Sequence, residues 1–365
     1  VYEREIDKWI GKIHQGDTLE TLKKMPSESV DNCVTSPPYY GQRTYGVEGE
    51  IGLEATPEEY ITKLVNIFRE LKRVIKKSAT IWLNIDDTFW SKGGSSRHKG
   101  YHDPKYPNGR SGKFDEPQTK NHKFLKPKDM CGIPHRLVFK LQEELGFYLR
   151  QTIIWEKPNS LPEPVTDRPV SNYEYIFLLT KSEKYYYNHL AVLEPYTNEM
   201  NRWGGEVLEA NGMSKWDEGT SQNSYRSRNL RPNPDGRNCR AVWHINTEPH
   251  YENTNYAMFP VELPRRCIKA GCPEFVCKSC GKPRKEIIKK ENPFRTFKFN
   301  GKRIDEIAKE GTGGQAGFPE RRLIGYSDCG CGSGFTKGVV MDIFNGMGTT
   351  ILVAEELGKD WIGIE

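Results

Sequence analysis

The strongest constraint on the fold is an alternation of short apolar runs with helical segments. The apolar runs have the length of strands and end in proline, glycine or polar residues, which is typical of buried strands. They occupy residues 29–35, 80–85, 147–155, 173–180, 339–343 and 361–364. Strands that alternate with helices predict a sheet with helices packed on its faces. We therefore expect an α/β fold with a doubly wound, mostly parallel sheet.

The helical segments carry recognisable start and stop signals. Apolar residues recur at helical spacing over residues 60–75, after Thr56 as a possible N-cap, Pro57 in the first turn and Glu59 as a capping-box acid. Residues 137–145 and 349–357 form two more such segments, and a glycine follows each of them. Residues 189–246 show no periodicity, and we expect them to form an irregular insert or a small second domain.

Composition places the chain among globular proteins with long polar loops. Its 365 residues are 36% apolar and 11% aromatic, so it is long enough for two compact units and too aromatic for a disordered protein. No apolar run approaches the ~18 residues that a membrane helix needs, and the first residues lack a signal-peptide pattern. We expect a soluble, cytoplasmic protein that contacts no membrane.

Basic residues are concentrated in three polar segments. Residues 91–128 contain ten basic and three acidic residues. Residues 222–240 contain five basic residues and one acidic residue, and residues 278–303 contain ten basic and two acidic residues. The formal charge of the whole chain is only +5, so the remainder is acidic. This distribution is typical of a protein that binds nucleic acid, and the alternative is a set of solvated basic loops.

A strand, a glycine turn and a helix start follow one another near the end of the chain. From Val339 the sequence reads V-V-M-D-I-F-N-G-M-G-T-T, and Glu365 lies 19 residues after Gly346. Glycines at such a turn let the backbone approach a ligand, and an acid after the next strand can accept hydrogen bonds from a ribose. Ile351 stands where a dinucleotide fingerprint needs a small residue, and the phosphate-binding Gly-Lys-Ser/Thr ending is missing. The pattern favours a nucleoside without phosphates, such as S-adenosylmethionine, whose positive charge Asp342 is placed to meet; an ordinary strand–turn–helix junction is the alternative.

A rigid proline corner follows the first predicted strand. Residues 35–39 read T-S-P-P-Y, and two consecutive prolines fix the backbone so that the Ser36 hydroxyl and the Pro37 carbonyl can point at one place. Two acceptors there would favour the reactive, pyramidal form of the exocyclic amino group of a base, which is otherwise a poor nucleophile. Tyr39 would provide a ring on which a base extruded from the duplex stacks.

The two motifs together resemble those of the DNA amino-methyltransferases. T-S-P-P-Y precedes D-I-F-N-G-M-G-T-T, an order similar to that of the permuted β group, in which the target-recognition region lies between the motifs. The resemblance implies a Rossmann-like methyltransferase sheet, double-stranded DNA as the partner and S-adenosylmethionine as the cofactor. It also implies a prokaryotic or phage origin and leaves room for a cognate restriction endonuclease as a separate protein.

The resemblance also implies a role for individual residues. Ser36, Pro37, Pro38 and Tyr39 would form the catalytic corner, and Trp155, Lys157 and Pro158 resemble the strand beside the target base. The residues implied at the cofactor are Gly16, Asp17, Thr35, Phe259, Pro260, Leu263, Ile268, Asp342, Phe344, Asn345, Gly346, Gly348, Thr349, Thr350 and Glu365. In this family serine before the prolines usually accompanies transfer to cytosine N4, whereas aspartate usually accompanies transfer to adenine N6. Ser36 therefore favours cytosine N4, with adenine N6 as the alternative.

Four of the nine cysteines form two close pairs. Cys277 and Cys280 are spaced C-x-x-C, Cys329 and Cys331 are spaced C-x-C, and two such pairs suit a tetrahedral structural zinc ion. Cys272 is the first alternative ligand, and free buried thiols are the alternative to a metal site. We expect a small zinc-binding insert at residues 272–337.

These observations divide the chain into three parts. Residues 1–188 would form the catalytic half of the methyltransferase domain with a basic loop at 91–128, residues 189–246 the target-recognition region, and residues 247–365 the cofactor-binding half. Arginine can read guanine edges, so the residues proposed to contact bases are Arg226, Arg228, Arg231, Arg237 and Arg240. The protein would act as a monomer or a homodimer. A different class of function is a zinc-stabilised DNA-binding protein with an inactive methyltransferase fold.

Overall fold

An eight-stranded sheet forms the centre of the protein. The computed structural model describes residues 4–42, 49–90, 122–195, 236–248, 258–291, 298–299, 302–303 and 320–365. The strands of this sheet are β1 (Lys12–His14), β2 (Val30–Thr35), β3 (Ile75–Ile85), β4 (Tyr148–Glu156), β5 (Tyr173–Thr180), β6 (Val242–His244), β13 (Val339–Asp342) and β14 (Asp360–Ile364). The other described strands, β7 to β12, belong to smaller two-stranded sheets. Their order across the sheet is β1-β14-β13-β2-β3-β5-β4-β6.

Seven of these strands run in one direction. Each neighbouring pair is parallel except the two pairs that involve β5, which is antiparallel to both β3 and β4. The expectation of an α/β fold with a mostly parallel sheet is therefore confirmed. The reversal of β5 places its first residues at the same edge as the carboxyl ends of the other strands, and we call this edge the carboxyl edge of the sheet.

Helices cover both faces of the sheet. They are α1 (Thr18–Lys24), α2 (Pro57–Val74), α3 (Ile133–Leu145), α4 (Glu262–Gly271) and α5 (Thr349–Glu356). The largest apolar core joins α1, α2 and α3 to alternate residues of β2 and β3, such as Cys33 and Ile81. On the opposite face α4 ends at Gly271, against the intervening residues Asn32, Thr80 and Trp82.

The helix signals in the sequence correspond to real caps. The Thr56 side chain accepts the backbone N–H of Glu59 at the start of α2, and Gly146 adopts a left-handed conformation at the end of α3. Residues 12–24, which form β1 and α1, were not predicted because three strand residues and seven helix residues are too short to give a clear period. β3 begins at Ile75, five residues before the predicted start, because α2 passes directly into it.

The chain divides into two compact units. The larger contains residues 1–188, 240–283 and 331–365, and the smaller contains residues 189–239 and 284–330. In the larger unit β7 (Phe275–Cys277) pairs antiparallel with β12 (Phe335–Lys337). In the smaller unit β8 (Glu286–Glu291) pairs with β11 (Glu320–Tyr326), and β9 (Lys298–Phe299) pairs with β10 (Lys302–Arg303). Among the described residues, we find no helix with both the length and the apolar character needed to cross a membrane.

Candidate active site

The two sequence motifs meet at the carboxyl edge of the sheet. β2, which ends at Thr35, pairs directly with β13, which ends at Asp342. The Thr35 hydroxyl donates to Asp342 Oδ1 at 2.7 Å, although the two residues are 307 positions apart. The proline corner and the glycine turn therefore lie on neighbouring strands.

Asp342 is buried at the junction of the two motifs. Its carboxylate also accepts the hydroxyl of Thr350 at 2.7 Å and the backbone N–H of Phe344 at 3.1 Å. Burial raises the pKa of Asp342 to about 7, although these hydrogen bonds act in the opposite direction. Thr35, Asp342 and Thr350 are thus bound to one another, and a direct contact of any of them with a cofactor stays a prediction.

The glycine turn after β13 faces open space. Gly346 has a φ of +50° and no heavy atom within 4 Å of the place where a side chain would begin. Its backbone N–H donates to Glu365 Oε2 at 2.6 Å, so the exposed carboxylate at the end of β14 lies beside the turn. Gly348, with a φ of +85°, forms the N-cap of α5, where Thr349 and Thr350 begin the helix. A nucleoside can approach the backbone of Gly346 closely, because nothing lies within 4 Å of the place where a side chain would begin.

Asp17 reaches the same edge from β1. Gly16 donates its backbone N–H to the carbonyl of Glu365 at 2.9 Å, which places the loop after β1 beside the end of β14. Asp17 is exposed, and its Oδ1 accepts the backbone N–H of Glu20 as the N-cap of α1. Thr18 donates to the carbonyl of Ile343 at 3.1 Å and so holds this loop against β13.

The turn also contains a buried oxygen without a donor. Asn345 is 5% exposed, and within the described part of the chain its Oδ1 has no hydrogen-bond partner. Phe344 beside it is partly buried and packs against the main core. The open turn, the exposed Glu365 and Asp17 and the unpaired oxygen of Asn345 together fit a nucleoside cofactor.

The start of α4 lies in the same compact unit as the glycine turn, and α4 packs on α5, the helix that follows this turn. Pro260 accepts the backbone N–H of Leu263 at 3.0 Å, and α4 contacts β2, β3 and α5. Leu263 and Ile268 are fully buried, whereas Phe259 is partly exposed. Contact of Phe259 and Pro260 with the cofactor stays a prediction.

The proline corner holds its polar atoms in defined positions. Tyr60 donates its hydroxyl to the carbonyl of Pro38 at 2.8 Å, and Gly52 packs so closely that a side chain there would lie 3.0 Å from the carbonyl oxygen of Tyr39. Ser36 Oγ donates to Tyr39 Oη at 3.3 Å. Among the described residues nothing donates to the carbonyl of Pro37 or to Ser36 Oγ. Both oxygens therefore keep lone pairs for a ligand.

A buried polar network surrounds the Tyr39 hydroxyl. This hydroxyl donates to Glu174 Oε2 at 2.6 Å, and Asn84 Nδ2 donates to the same oxygen at 2.9 Å. Lys157 contacts the other carboxylate oxygen. Glu174 and Asn84 were not predicted from the sequence, and only the position of Glu174 as a lone acid in the apolar run of β5 could have indicated it.

A cleft opens next to this network. It has a volume of about 590 Å³, and its lining includes Asp86 and the aromatic residues Phe89, Trp90, Tyr173 and Tyr175. Burial, followed by the charge of Glu174, raises the pKa of Asp86 to about 7. A carboxyl group with such a pKa in a cleft is a further candidate functional residue that the sequence did not reveal.

The four paired cysteines converge. The Sγ atoms of Cys277, Cys280, Cys329 and Cys331, hereafter the cysteine cluster, all lie within 4.8 Å of one another. A tetrahedral zinc ion with Zn–S bonds of ~2.3 Å would place its sulfurs ~3.8 Å apart. Cys272, the alternative ligand, is 3% exposed and lies outside this group. The arrangement is suitable for a zinc ion with four thiolate ligands.

Two of the five predicted DNA-binding arginines lie within the described residues. Arg226, Arg228 and Arg231 lie outside the described residues, as does most of the basic segment 91–128. Arg237 pairs with Glu194 at 3.3 Å, and Arg240 is exposed. Their contact with DNA stays a prediction.

The family model and the curated relatives agree on one class. A family model described as DNA methylase (N6_N4_Mtase) matches residues 30–279 and 323–365. The chain is 41% identical over 258 residues to the Type II methyltransferase M.Cfr9I of Citrobacter freundii, a match that covers 71% of each protein. It is 40% identical over 260 residues to the Type II methyltransferase M.SmaI of Serratia marcescens, covering 71% of this chain and 75% of the relative. Among solved structures, the cytosine-N4-specific PvuII DNA methyltransferase matches with a TM-score of 0.49 and 16% identity over 97% of this chain and 81% of that one.

Proposed function

The chain belongs to the N6/N4 DNA methylase family of S-adenosylmethionine-dependent enzymes, and on this basis we propose that it transfers a methyl group to cytosine N4 in DNA. The observation that carries the proposal is the hydrogen bond between Thr35 and Asp342. It joins the strand that ends in the proline corner to the strand that ends in the glycine turn. A base held at the first would be next to a cofactor held at the second.

The residues proposed to hold the cofactor are those around the glycine turn. Asn345, Gly346 and Glu365 would bind it from β13 and β14, and Asp17 from the loop after β1. S-adenosylmethionine supplies an electrophilic methyl group when bound. Its positive charge suits an edge where Asp17 and Glu365 are both exposed acids.

The proline corner would hold the amino group that receives the methyl group. The Ser36 hydroxyl and the Pro37 carbonyl both have lone pairs available, and each can accept one N–H of an exocyclic amine. Hydrogen bonds to both hydrogens draw the nitrogen lone pair out of conjugation with the ring, and so favour attack on a methyl group. The base would leave the duplex and stack on Tyr39.

The choice of cytosine over adenine rests on Ser36, which precedes the two prolines. Nucleoside mass spectrometry of DNA methylated by the pure enzyme tests it directly: we expect N4-methylcytosine. N6-methyladenine as the product would show that the enzyme acts on the other amino base. No methylated nucleoside at all would support the second candidate, a DNA-binding protein with an inactive fold.

Tyr39→Ala tests the stacking role. We expect turnover to fall at least about 10-fold, because base–aromatic stacking alone contributes ~1–3 kcal/mol. Affinity for S-adenosylmethionine, measured by titration calorimetry, should change little. Methylation near the original rate would contradict the proposed role.

DNA recognition is proposed for the irregular region and its arginines. Arg226, Arg228, Arg231, Arg237 and Arg240 would contact bases, and the segment 91–128 would contact phosphates. Methylome sequencing of a methylation-free host that expresses the enzyme would give the base and the recognition sequence together. A cognate restriction endonuclease and a monomeric or homodimeric state belong to the same proposal.

We also propose that the cysteine cluster binds a structural zinc ion. The four sulfurs already lie within 4.8 Å of one another. The turn around them is ordered by backbone hydrogen bonds from Gly281 to Cys277 and from Lys278 to Gly334. Four thiolate ligands leave no open position, so the ion would have no catalytic role.

Metal analysis tests the zinc proposal. Protein purified without added metal should contain about one zinc ion per chain. Cys280→Ser and Cys331→Ser should lose most of it, whereas the matched control Cys239→Ser, at a partly exposed cysteine outside the cluster, should retain it. Zinc near zero in the unaltered protein would reject the site.

A further inference from the structure

The Tyr39 hydroxyl lies in a chain of hydrogen bonds that base stacking does not require. Ser36 Oγ donates to Tyr39 Oη at 3.3 Å, and Tyr39 Oη donates to Glu174 Oε2 at 2.6 Å. A phenylalanine would stack equally well, so the hydroxyl and its partners need another explanation. The three oxygens form a continuous path from the proline corner to a buried carboxylate.

The end of this path is fixed in place. Glu174 is 8% exposed and Asn84 is 2% exposed. Asn84 Nδ2 donates to Glu174 Oε2 at 2.9 Å and to the carbonyl of Tyr175 at 3.1 Å, and Lys157 contacts Glu174 Oε1. A carboxylate with this many donors cannot rotate away from Tyr39.

The phenol is held in its neutral form. Burial, and next the charge of Glu174, raise the pKa of Tyr39 well above its usual value. The hydroxyl therefore keeps a proton that it can pass on while it receives another from Ser36. A hydroxyl that stays neutral in this way can pass a proton from one neighbour to the next without holding an extra charge.

Transfer of a methyl group to an amine leaves one proton too many on the nitrogen. The N–C bond forms with the nitrogen lone pair as the sulfonium S–C bond breaks, and sulfur keeps the electrons of that bond. The amino nitrogen then carries a positive charge, which it loses only when one of its N–H protons leaves. A serine hydroxyl alone is too weak a base to keep that proton.

We propose that Ser36, Tyr39 and Glu174 form a proton relay for the methylated amine. This inference rests on the proposed methyl transfer. Ser36 Oγ receives the N4 proton as its own proton moves to Tyr39 Oη, and the phenolic proton moves to Glu174 Oε2. The product amine and the two hydroxyls end neutral, and Glu174 carries the proton as a carboxylic acid until it returns to water. In this proposal Glu174 does not contact the base; it positions Tyr39 and receives the proton.

Lys157, Asp86 and Asp87 are charged groups at the Glu174 end of the relay. Lys157 contacts the Glu174 carboxylate, and Asp86 is close enough for the Glu174 charge to raise its pKa. Asp87 lies next to Asp86, and its backbone N–H donates to Asp86 Oδ1 at 2.8 Å. Asp86 also lines the cleft next to the network.

Two conservative variants separate the relay from simple positioning. Tyr39→Phe keeps the ring for stacking but removes the hydroxyl, and Glu174→Gln keeps an oxygen that accepts from Tyr39 but cannot take a proton. We expect each to lower single-turnover methylation about 10-fold to 100-fold, within the usual range for acid–base catalysis. The double variant should be no slower than either single variant, because both interrupt one path. Glu183→Gln, an exposed acid beyond the other end of β5, is the matched control.

The outcomes are distinct. The relay also predicts that the rate of the unaltered enzyme falls in deuterium oxide and that this isotope effect shrinks in Tyr39→Phe, while KM for DNA and S-adenosylmethionine affinity stay within about threefold. Glu174→Gln near the original rate, or additive losses in the double variant, would overturn the relay. If Glu174→Gln does not fold, methylation by Tyr39→Phe at the original rate would also overturn the relay. An unaltered enzyme that methylates no DNA would instead refute the proposed function.

Discussion

The carboxyl edge of the sheet and the cysteine cluster both join residues that are far apart in the sequence, but different forces hold them. At the edge, paired strands and buried hydrogen bonds such as the one between Thr35 and Asp342 bring the motifs together. At the cluster, β7 and β12 contribute only three residues each, and Cys280 and Cys331 are exposed. The fold itself assembles the first site, whereas we expect the second to depend on a metal ion.

Removal of the metal should produce the largest difference between the two regions. Structural zinc contributes ~10 kcal/mol or more to the folding of small zinc domains. A chelator should therefore speed amide exchange in residues 275–283 and 331–337 at least ~100-fold. Hydrogen exchange measured by mass spectrometry should show residues 30–35 and 339–342 unchanged. Equal loss of protection in both regions would show that the edge also depends on the metal.

Gly271→Ala should produce the next largest effect, and at the sheet. A side chain there would begin 2.2 Å from Thr80 Oγ1 and 2.4 Å from Asn32 Nδ2, so α4 would have to move away from β2 and β3. We expect the free energy of unfolding to fall by ~1–3 kcal/mol or more. Urea titration measures it, with Lys269→Ala at an exposed position of α4 as the control. An unchanged midpoint would mean that the contact between α4 and the sheet is not close.

Asp342→Asn tests the buried link by its pH dependence. The pKa of Asp342 is about 7 in the folded protein and ~4 in an unfolded chain. Folding therefore favours the protonated form, and this stabilisation is complete below ~pH 4 and disappears as the pH rises through about 7. The unfolding free energy of the unaltered protein should fall more steeply with rising pH over this interval than that of the variant. Parallel curves in urea titrations would contradict the raised pKa.

Gly346→Ala should have the smallest effect. The φ of +50° disfavours alanine, but no atom lies within 4 Å of the added carbon. The expected loss of unfolding free energy is ~1–2 kcal/mol, from backbone strain alone. Thermal unfolding without cofactor measures it. If the unfolding free energy falls as much as in Gly271→Ala, the added carbon must collide with neighbouring atoms at the glycine turn.

Sequence signals were sufficient wherever an element had its own period or cap. The cap at Thr56 and the apolar period after it gave α2, and the proline pair marked the end of β2. The reversed direction of β5 could not be predicted, because a buried run of eight residues reads the same in either orientation. β1 and α1 were missed because they are short, and their positions depend on pairing with β14 and packing on α2.

The sequence alone determined which chemical groups are present: a serine and tyrosine at a proline corner, glycines at a strand end, and two cysteine pairs. These signals are local, because turn geometry and ligand spacing depend on neighbours in the chain. Folding creates two contacts that the sequence did not predict: Asp342 links the two motifs, and Glu174 accepts a hydrogen bond from the Tyr39 hydroxyl. These two contacts join residues 307 and 135 positions apart, so they depend on the order of strands in the sheet, which no local pattern specifies.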